Sequence, residues 1–385
     1  MRYLFATEEQ LSLADEARKL LEKELAPRLS ELEQSETYPQ DVHKKLAELG
    51  YCCMDIPEEL GGLGMDFVTR CIIYEEMAKV DAGFTFSFLA NSWDFILKTS
   101  LPEDEKKALI GKCMAGDLVV SMGLTEADAG SDALAMRTTA VKDGDEWVLN
   151  GTKCFISNAP HAGLHGVVAY NDKSLSSRGT TMFLVRKDTP GFSIGKKEEK
   201  MGFRLSPTAE LVLDNVRVPE AYIVGKVGEG FKHAMAAITE ARVSTMMTAL
   251  GMSQAALDYA IEYSKQRRQR GLRIIDHQGL GFLIAEMQIR VNSARALIYY
   301  AAEAIKRGID IGTMSSEVKI QLADMVMSVT TDAVQVLGGY GYMRDYPTEK
   351  WMRDAKLYGL FEGTNQINKN VIAKAIAGKD PLSGK

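Results

Sequence analysis

The chain has 385 residues, of which 46% are hydrophobic, 25% charged and 8% aromatic, which excludes a disordered, collagen-like or disulfide-stapled polypeptide. That length accommodates roughly two or three domains. Forty-six basic against 52 acidic side chains leave a formal charge of −6, so no global positive field is available to hold nucleic acid or an anionic membrane.

The first residues, Met-Arg-Tyr-Leu-Phe, run into charged helix-like sequence and show no basic and apolar leader pattern. No run approaches the ~18 apolar residues of a membrane span, and a cytoplasmic protein is expected. From Thr7 to about Gly116 the spacing of apolar residues is helical: TEEQLSLADEARKLLEKELAPRLSELEQ opens with Thr7, Glu8 and Glu9 as a start signal, and DVHKKLAELG, DFVTRCIIYEEMAKV and PEDEKKALIGKCMAG follow the same period. Near residue 118 short β-rich runs begin, among them LVVSMGL, TTAVK, EWVLNG, GVVAYN, TMFLVRK and AELVLDNVRV, separated by turn residues. They predict a small antiparallel barrel or sandwich. After the glycines at 225, 228 and 230 the helical period returns over 231–268, 278–307, 314–338 and 346–376, lengths suited to a four-helix bundle, and a polar tail from Gly378 to Lys385 closes the chain. The predicted domains are 1–118, 119–229 and 230–385.

Helix, then strand, then helix is not the alternation a nicotinamide-binding fold requires. Neither Gly338-Gly339-Tyr340-Gly341 nor Gly225-Lys226-Val227-Gly228-Glu229-Gly230 has the spacing of a dinucleotide fingerprint. Cys52, Cys53, Cys71, Cys113 and Cys154 form an odd set without CxxC spacing, which suits reduced thiols. His161 and His165 sit in a turn-like segment without nearby carboxylates, so no metal site is expected there. The basic run from Lys265 to Arg273 suits either a solvated helix end or a grip on pyrophosphate.

Sharper signals come from three segments. Met122-Gly-Leu124-Thr125-Glu126-Ala-Asp-Ala-Gly130-Ser131-Asp132 ends a strand in hydroxyls and a Gly-Ser turn, suited to a ring edge or phosphate, though a plain hairpin loop would read similarly. Asn150-Gly-Thr-Lys153-Cys-Phe155-Ile156-Ser157-Asn158 sets an aromatic face beside a hydroxyl. Near the C-terminus stand Gln335-Val336-Leu-Gly338-Gly339-Tyr-Gly341 and Phe361-Glu362-Gly363-Thr364-Asn365-Gln366-Ile367.

With IPEELGGLG, KMGFRLSPTAELVLDNVRVP and GEGF, these ordered motifs cover nearly the whole length, and the chain resembles the acyl-CoA dehydrogenase family. The resemblance implies a helical N-terminal domain, a β middle domain and a C-terminal four-helix bundle, assembled as a homotetramer with FAD between subunits. It implies α,β-dehydrogenation of an acyl-CoA, with hydride passing to flavin N5 and electrons to electron-transfer flavoprotein. Position by position, it sets Met122, Leu124, Thr125 and the Gly130-Ser131 turn against the flavin, with Ser131 also near CoA. Phe155, Ile156 and Ser157 match the segment on the flavin's other side, where the family commonly has Trp-Ile-Thr. Arg267 matches the arginine that reaches the pyrophosphate of a neighbouring subunit, with Gln278, Gln335, Val336, Gly338 and Gly339 completing that site. Arg270 replaces a common phenylalanine there. Thr364 and Gln366 match further cofactor contacts, whereas Asn368-Lys369 replaces a frequent Gln-Arg pair.

The implied general base is Glu362, flanked on the substrate side by Phe361 and Gly363, with its own N–H and a ribityl hydroxyl holding the thioester oxygen. Desolvation is what makes such a carboxylate basic enough. The position that serves as base in some relatives is Ala241 here, and Glu240 stands about 100° away around the helix. Thr239 and Arg242 match the stretch along the pantetheine channel. On the segment matching the acyl pocket, Trp93 and Asp94 replace a usual Leu-Gly pair. Asp94 either faces solvent or, with Trp93, shapes a pocket for a short, branched or cyclic acyl group and supplies a possible second base. The same residues could also run the reverse reaction, enoyl-CoA reduction.

Overall fold

The computed structural model describes residues 6–378; the predicted polar tail lies outside them beyond Gly378. Seven helices come first: α1 (Glu8–Glu24), α2 (Leu29–Ser35), α3 (Gln40–Glu48), α4 (Phe67–Ala78), α5 (Ala82–Leu89), α6 (Asp94–Leu97) and α7 (Glu103–Met114). The expected start at Thr7 is a full capping box, its hydroxyl accepting from the Gln10 N–H while the Gln10 side chain accepts from the Thr7 N–H. The long pattern from Thr7 is two helices, because Pro27 sits in a 3-10 turn between α1 and α2. Asp66 and Asp81 cap α4 and α5.

Eight strands follow: β1 (Val120–Gly123), β2 (Thr139–Asp143), β3 (Glu146–Ser157), β4 (Leu164–Tyr170), β5 (Thr180–Arg186), β6 (Phe192–Lys197), β7 (Thr208–Pro219) and β8 (Ile223–Val224). They form one sheet in the order β6-β7-β3-β2-β4-β5-β8, with β1 joined in parallel to β4. The sheet curls on itself. Trp147 of β3 meets Phe183 of β5 at 5.6 Å, and His165 of β4 meets Phe192 of β6 at 4.7 Å, although neither pair of strands is adjacent. The inner face encloses Ile156, Val167, Val185, Leu211 and Val216. The outer face of β4 and β5 packs Val168, Met182 and Leu184 with Trp93, Phe95 and Ile110 of the first section and Ala234 of the next helix.

The third section contains α8 (Gly230–Gln266), a two-residue hairpin of β9 (Arg268–Gln269) and β10 (Leu272–Arg273), α9 (Gln278–Lys306), α10 (Gly312–Leu337), α11 (Thr348–Ala355) and α12 (Asn365–Ala377). The stretch 346–376 is therefore not one helix. After α11 and a 3-10 turn, Glu362 and Gly363 take positive φ of 56° and 78°, a conformation that ends helix, and Thr364 then caps α12 by accepting from the Ile367 N–H.

One buried ionic cluster ties the sections together. Lys350 of α11 pairs with Asp354 on its own helix and with Asp81 of the α5 cap at 2.7 Å. Arg353 reaches Glu33 of α2 at 2.9 Å and the Met201 carbonyl, between β6 and β7, at 2.7 Å. Asp354 accepts from the Phe203 N–H at 2.6 Å. No helix among the described residues is long and apolar enough to cross a membrane.

Candidate active site

The broken fourth helix delivers Glu362 into a loop held from two sides. Arg242 of α8 donates through Nε to the Glu362 carbonyl at 3.0 Å and through Nη1 to the hydroxyls of Ser315 and Ser316 of α10 at 3.4 Å each. Asn368, buried on α12, donates through Nδ2 to the carbonyls of Gly363 at 2.8 Å, Thr364 at 3.1 Å and Glu362 at 3.4 Å. This asparagine and Arg242 together pin the loop. A methyl at Gly363 would come 3.2 Å from that amide nitrogen, on a backbone that already favours glycine. The backbone N–H of Glu362 enters no hydrogen bond among the described residues.

Phe361 packs its ring against Phe86 at 5.2 Å, Tyr358 at 5.4 Å and Phe203 at 6.0 Å. In these apolar surroundings burial pushes the Glu362 carboxyl up to about 7, against the opposing charges of Arg242 and Lys319. It is therefore ionised above about pH 7 and protonated below. By linkage the folded chain loses stability as pH climbs from the ordinary carboxylate range to about 7, because over that range the unfolded chain sheds this proton while the folded chain keeps it.

Thr239 turns its hydroxyl back onto the Met235 carbonyl. Glu240 faces Arg70 at 3.5 Å instead of the loop. Trp93 is buried with Phe95, Ile110 and Leu124, and its indole N–H donates to Asp55 at 3.0 Å. The Asp94 side chain is 42% exposed and paired with Lys98 one turn along.

A second group of expected residues gathers on the sheet. β1 ends beside the Glu126–Ala129 turn, with Met122 half-buried, Leu124 buried, and Gly130 and Ser131 exposed. Opposite, β3 bulges between Lys153 and Ile156, which forces Phe155 to a φ of 59° and leaves it 63% exposed. The Cys154 N–H reaches the Thr125 carbonyl at 2.9 Å, locking the two segments together. Ile156 points into the sheet core, so only its backbone is available at the surface, while Ser157 remains half-buried.

Beneath the bulge, Lys153 is fully buried and bonds to Glu126 at 2.7 Å and the Leu124 carbonyl at 3.1 Å. Glu126 also accepts from the N–H groups of Arg137 and Thr138 at 2.6 and 3.0 Å. Burial alone would raise the Glu126 carboxyl; the lysine charge and these bonds hold it below its ordinary range. Sequence reading assigned no role to this pair, although both residues lie inside the motifs that drew attention.

A third group lines a cleft of about 520 Å³ formed by Tyr263, Arg267, Gln269 and Ile274 on one side and by Gln335 to Tyr340 with Met343 on the other. Arg267, Gln335, Val336, Gly338 and Gly339 thus come together from distant parts of the chain. The Arg267 guanidinium lies 5.8 Å above the Tyr340 ring. Neither Gly338 nor Gly339 has a neighbour within 4 Å of a Cβ, so a ligand can approach the backbone. A cation beside an open glycine pair fits a phosphate-bearing group. Gln278, at the head of α9, is exposed and outside the cleft lining, and Arg270 occupies the tip of the hairpin with a φ of 52°. Thr364 caps α12 and Gln366 is exposed on it. His161 stacks on Tyr38 at 4.5 Å whereas His165 bonds to Ser121, so the two do not converge.

Models of the acyl-CoA dehydrogenase N-terminal, middle and C-terminal domains match residues 7–117, 121–216 and 228–377. The chain is 39% identical to the cyclohex-1-ene-1-carbonyl-CoA dehydrogenase of Syntrophus aciditrophicus, over 96% of its length and 90% of that protein. It superposes on butyryl-CoA dehydrogenase from Megasphaera elsdenii with a TM-score of 0.93 and 36% identity, covering 97% of this chain and 99% of the other. A chain described with the electron transferring flavoprotein of Acidaminococcus fermentans gives a TM-score of 0.93 and 39% identity, over 98% of this chain and all of that one (100%).

Proposed function

Because the chain belongs to the acyl-CoA dehydrogenase family, FAD-dependent oxidoreductases acting on the CH–CH bond of acyl-CoA, we propose that it removes hydrogen across the α,β-bond of a short, branched or cyclic acyl-CoA, with Glu362 as the base. The observation that carries this reading is the carboxyl of Glu362, raised to about 7 among aromatic rings on a loop fixed by Arg242 and Asn368. A base tuned near the working pH accepts a proton readily and is still ionised when substrate arrives. The α-proton goes to the Glu362 carboxylate, the α C–H electrons form the new double bond, and the hydride leaves the β-carbon. FAD, when bound, supplies the two-electron acceptor for that hydride. Phe155, Thr125 and Ser131 would hold its ring, and Arg267, Gln335, Gly338 and Gly339 would hold the phosphates of the FAD of a neighbouring subunit. The unused Glu362 N–H is suited to the thioester oxygen, where charge develops.

The compact acyl group is supported by the rings of Phe86, Phe203 and Tyr358 packed behind Phe361, and by the relatives named for butyryl and cyclohexenyl-carbonyl thioesters. The surface pairing of Asp94 with Lys98 favours Glu362 acting alone. Electron-transfer flavoprotein is the acceptor we infer next, supported by the likeness to the Acidaminococcus chain. A homo-oligomer, a tetramer in our reading, is supported by Phe282, Ile289 and Tyr300, which are 60%, 63% and 66% exposed along α9. Five free cysteines suit the cytoplasm.

The test is to purify the yellow protein and follow loss of flavin colour with butyryl-, isobutyryl- and cyclohexanecarbonyl-CoA. Glu362→Gln keeps the flavin and loses turnover by about 10²–10⁴-fold. A fully active Glu362→Gln enzyme would move the base elsewhere.

A further inference from the structure

Lys319 has no part in the chemistry described so far, and its position is costly. It lies on α10, fully buried, and its ammonium makes one hydrogen bond to protein, to Asn365 Oδ1 at 2.7 Å. It forms no ion pair among the described residues, whereas a buried lysine is ordinarily matched by a carboxylate in contact. Asn365 is the first residue of α12, three beyond Glu362, and its amide reaches on to Asp324 of α10 at 3.0 Å. Lys319 thereby anchors the head of the helix that follows the Glu362 loop.

The charged groups that act on Glu362 are Arg242 from α8 and Lys319 from α10; those acting on Lys319 are Glu362, Arg242 and Asp324. Arg242 spends its hydrogen bonds on the Glu362 carbonyl and two serines, so it fixes backbone. Lys319, one turn beyond those serines on α10, fixes Asn365, three residues after Glu362, and has no carboxylate of its own in contact among the described residues.

Resting on Glu362 as the base, we propose that Lys319 is a positioning residue of the dehydrogenation, holding Asn365 and setting its positive charge against Glu362 so that the base stands ionised when substrate arrives. Burial brings the lysine itself down to about 8, with Glu362 pulling the other way, so the ammonium is largely retained at neutral pH. Below the Glu362 midpoint the carboxyl is neutral and the lysine has less to face; above it the two opposite charges support each other.

Two substitutions separate the charge from the hydrogen bond. Lys319→Gln keeps a donor for Asn365 and removes the charge; Lys319→Arg keeps both. The first readout is infrared difference titration of the Glu362 carboxyl, isolated by subtracting the Glu362→Gln protein, which needs no substrate. The second is the pH profile of kcat with butyryl-CoA. In Lys319→Gln the carboxyl midpoint and the rising limb of kcat move upward together by about one pH unit or more. Lys319→Arg returns both towards the parent. An unchanged midpoint in Lys319→Gln overturns the proposal and leaves Glu362 as base. An active Glu362→Gln enzyme overturns the base assignment, and this inference with it.

Discussion

Glu362 and Phe155 share an unusual backbone and nothing of their surroundings. Each is a side chain larger than glycine held at a φ near +57°, 56° for one and 59° for the other, and each has a cation close by in the chain fold: Arg242 donates to the Glu362 carbonyl, and Lys153, two residues before Phe155, donates to the Leu124 carbonyl. Around Glu362 the neighbours close in, and the carboxyl is driven away from its ordinary acidity. Phe155 instead turns its ring outward, above a strand whose inner side chains are in the sheet core. Backbone strain of roughly 1–3 kcal/mol is thus spent twice: once to hide a charge, once to present a face.

The comparison can be broken on the side of the sheet. Lys153→Met leaves Glu126 buried with its charge uncompensated, and the expected loss is about 3–5 kcal/mol in equilibrium unfolding. A variant as stable as the parent would mean that the bulge is held by the strand ladder alone. The smaller effect is at Phe155. Phe155→Gly removes the left-handed penalty, so the flavin-free protein should unfold at the same free energy or up to about 1 kcal/mol higher. Flavin retention on gel filtration should fall in the same variant. A clear loss of stability would show that the ring supports the sheet and is not there for a ligand.

The order of helices, strands and helices was legible because hydrophobic period survives without any knowledge of contacts. Glu362 was legible through its motif, and the residues of the 520 Å³ cleft through theirs, though only folding brings Arg267 to Gly338. The interruption of the last long helix was missed because its cause is a backbone angle at Glu362, a residue whose type favours helix. Lys319 was invisible for another reason: on α10 it sits among buried neighbours at helical spacing, and no pattern of polar and apolar letters tells a buried lysine from a surface one. Trp93 and Asp94 drew attention by departing from the family, yet their partners, Asp55 and Lys98, are ordinary residues whose pairing depends on tertiary placement and local rotamer.

The ionic cluster of Glu33, Asp81, Lys350, Arg353 and Asp354 bears on how the molecule comes apart. Its members belong to α2, the cap of α5 and α11, and it also holds the Phe203 N–H and the Met201 carbonyl of the β section. Opening the first or the third section strands charge in the other, and opening the sheet leaves Asp354 and Arg353 each short of a backbone partner, so partial unfolding is penalised at every seam. Heating should therefore give a single cooperative transition across all three sections. On the ribosome, the N-terminal helices and the sheet must wait for residues 350–354 before the cluster can close, so the three sections are not locked together until α11 has emerged.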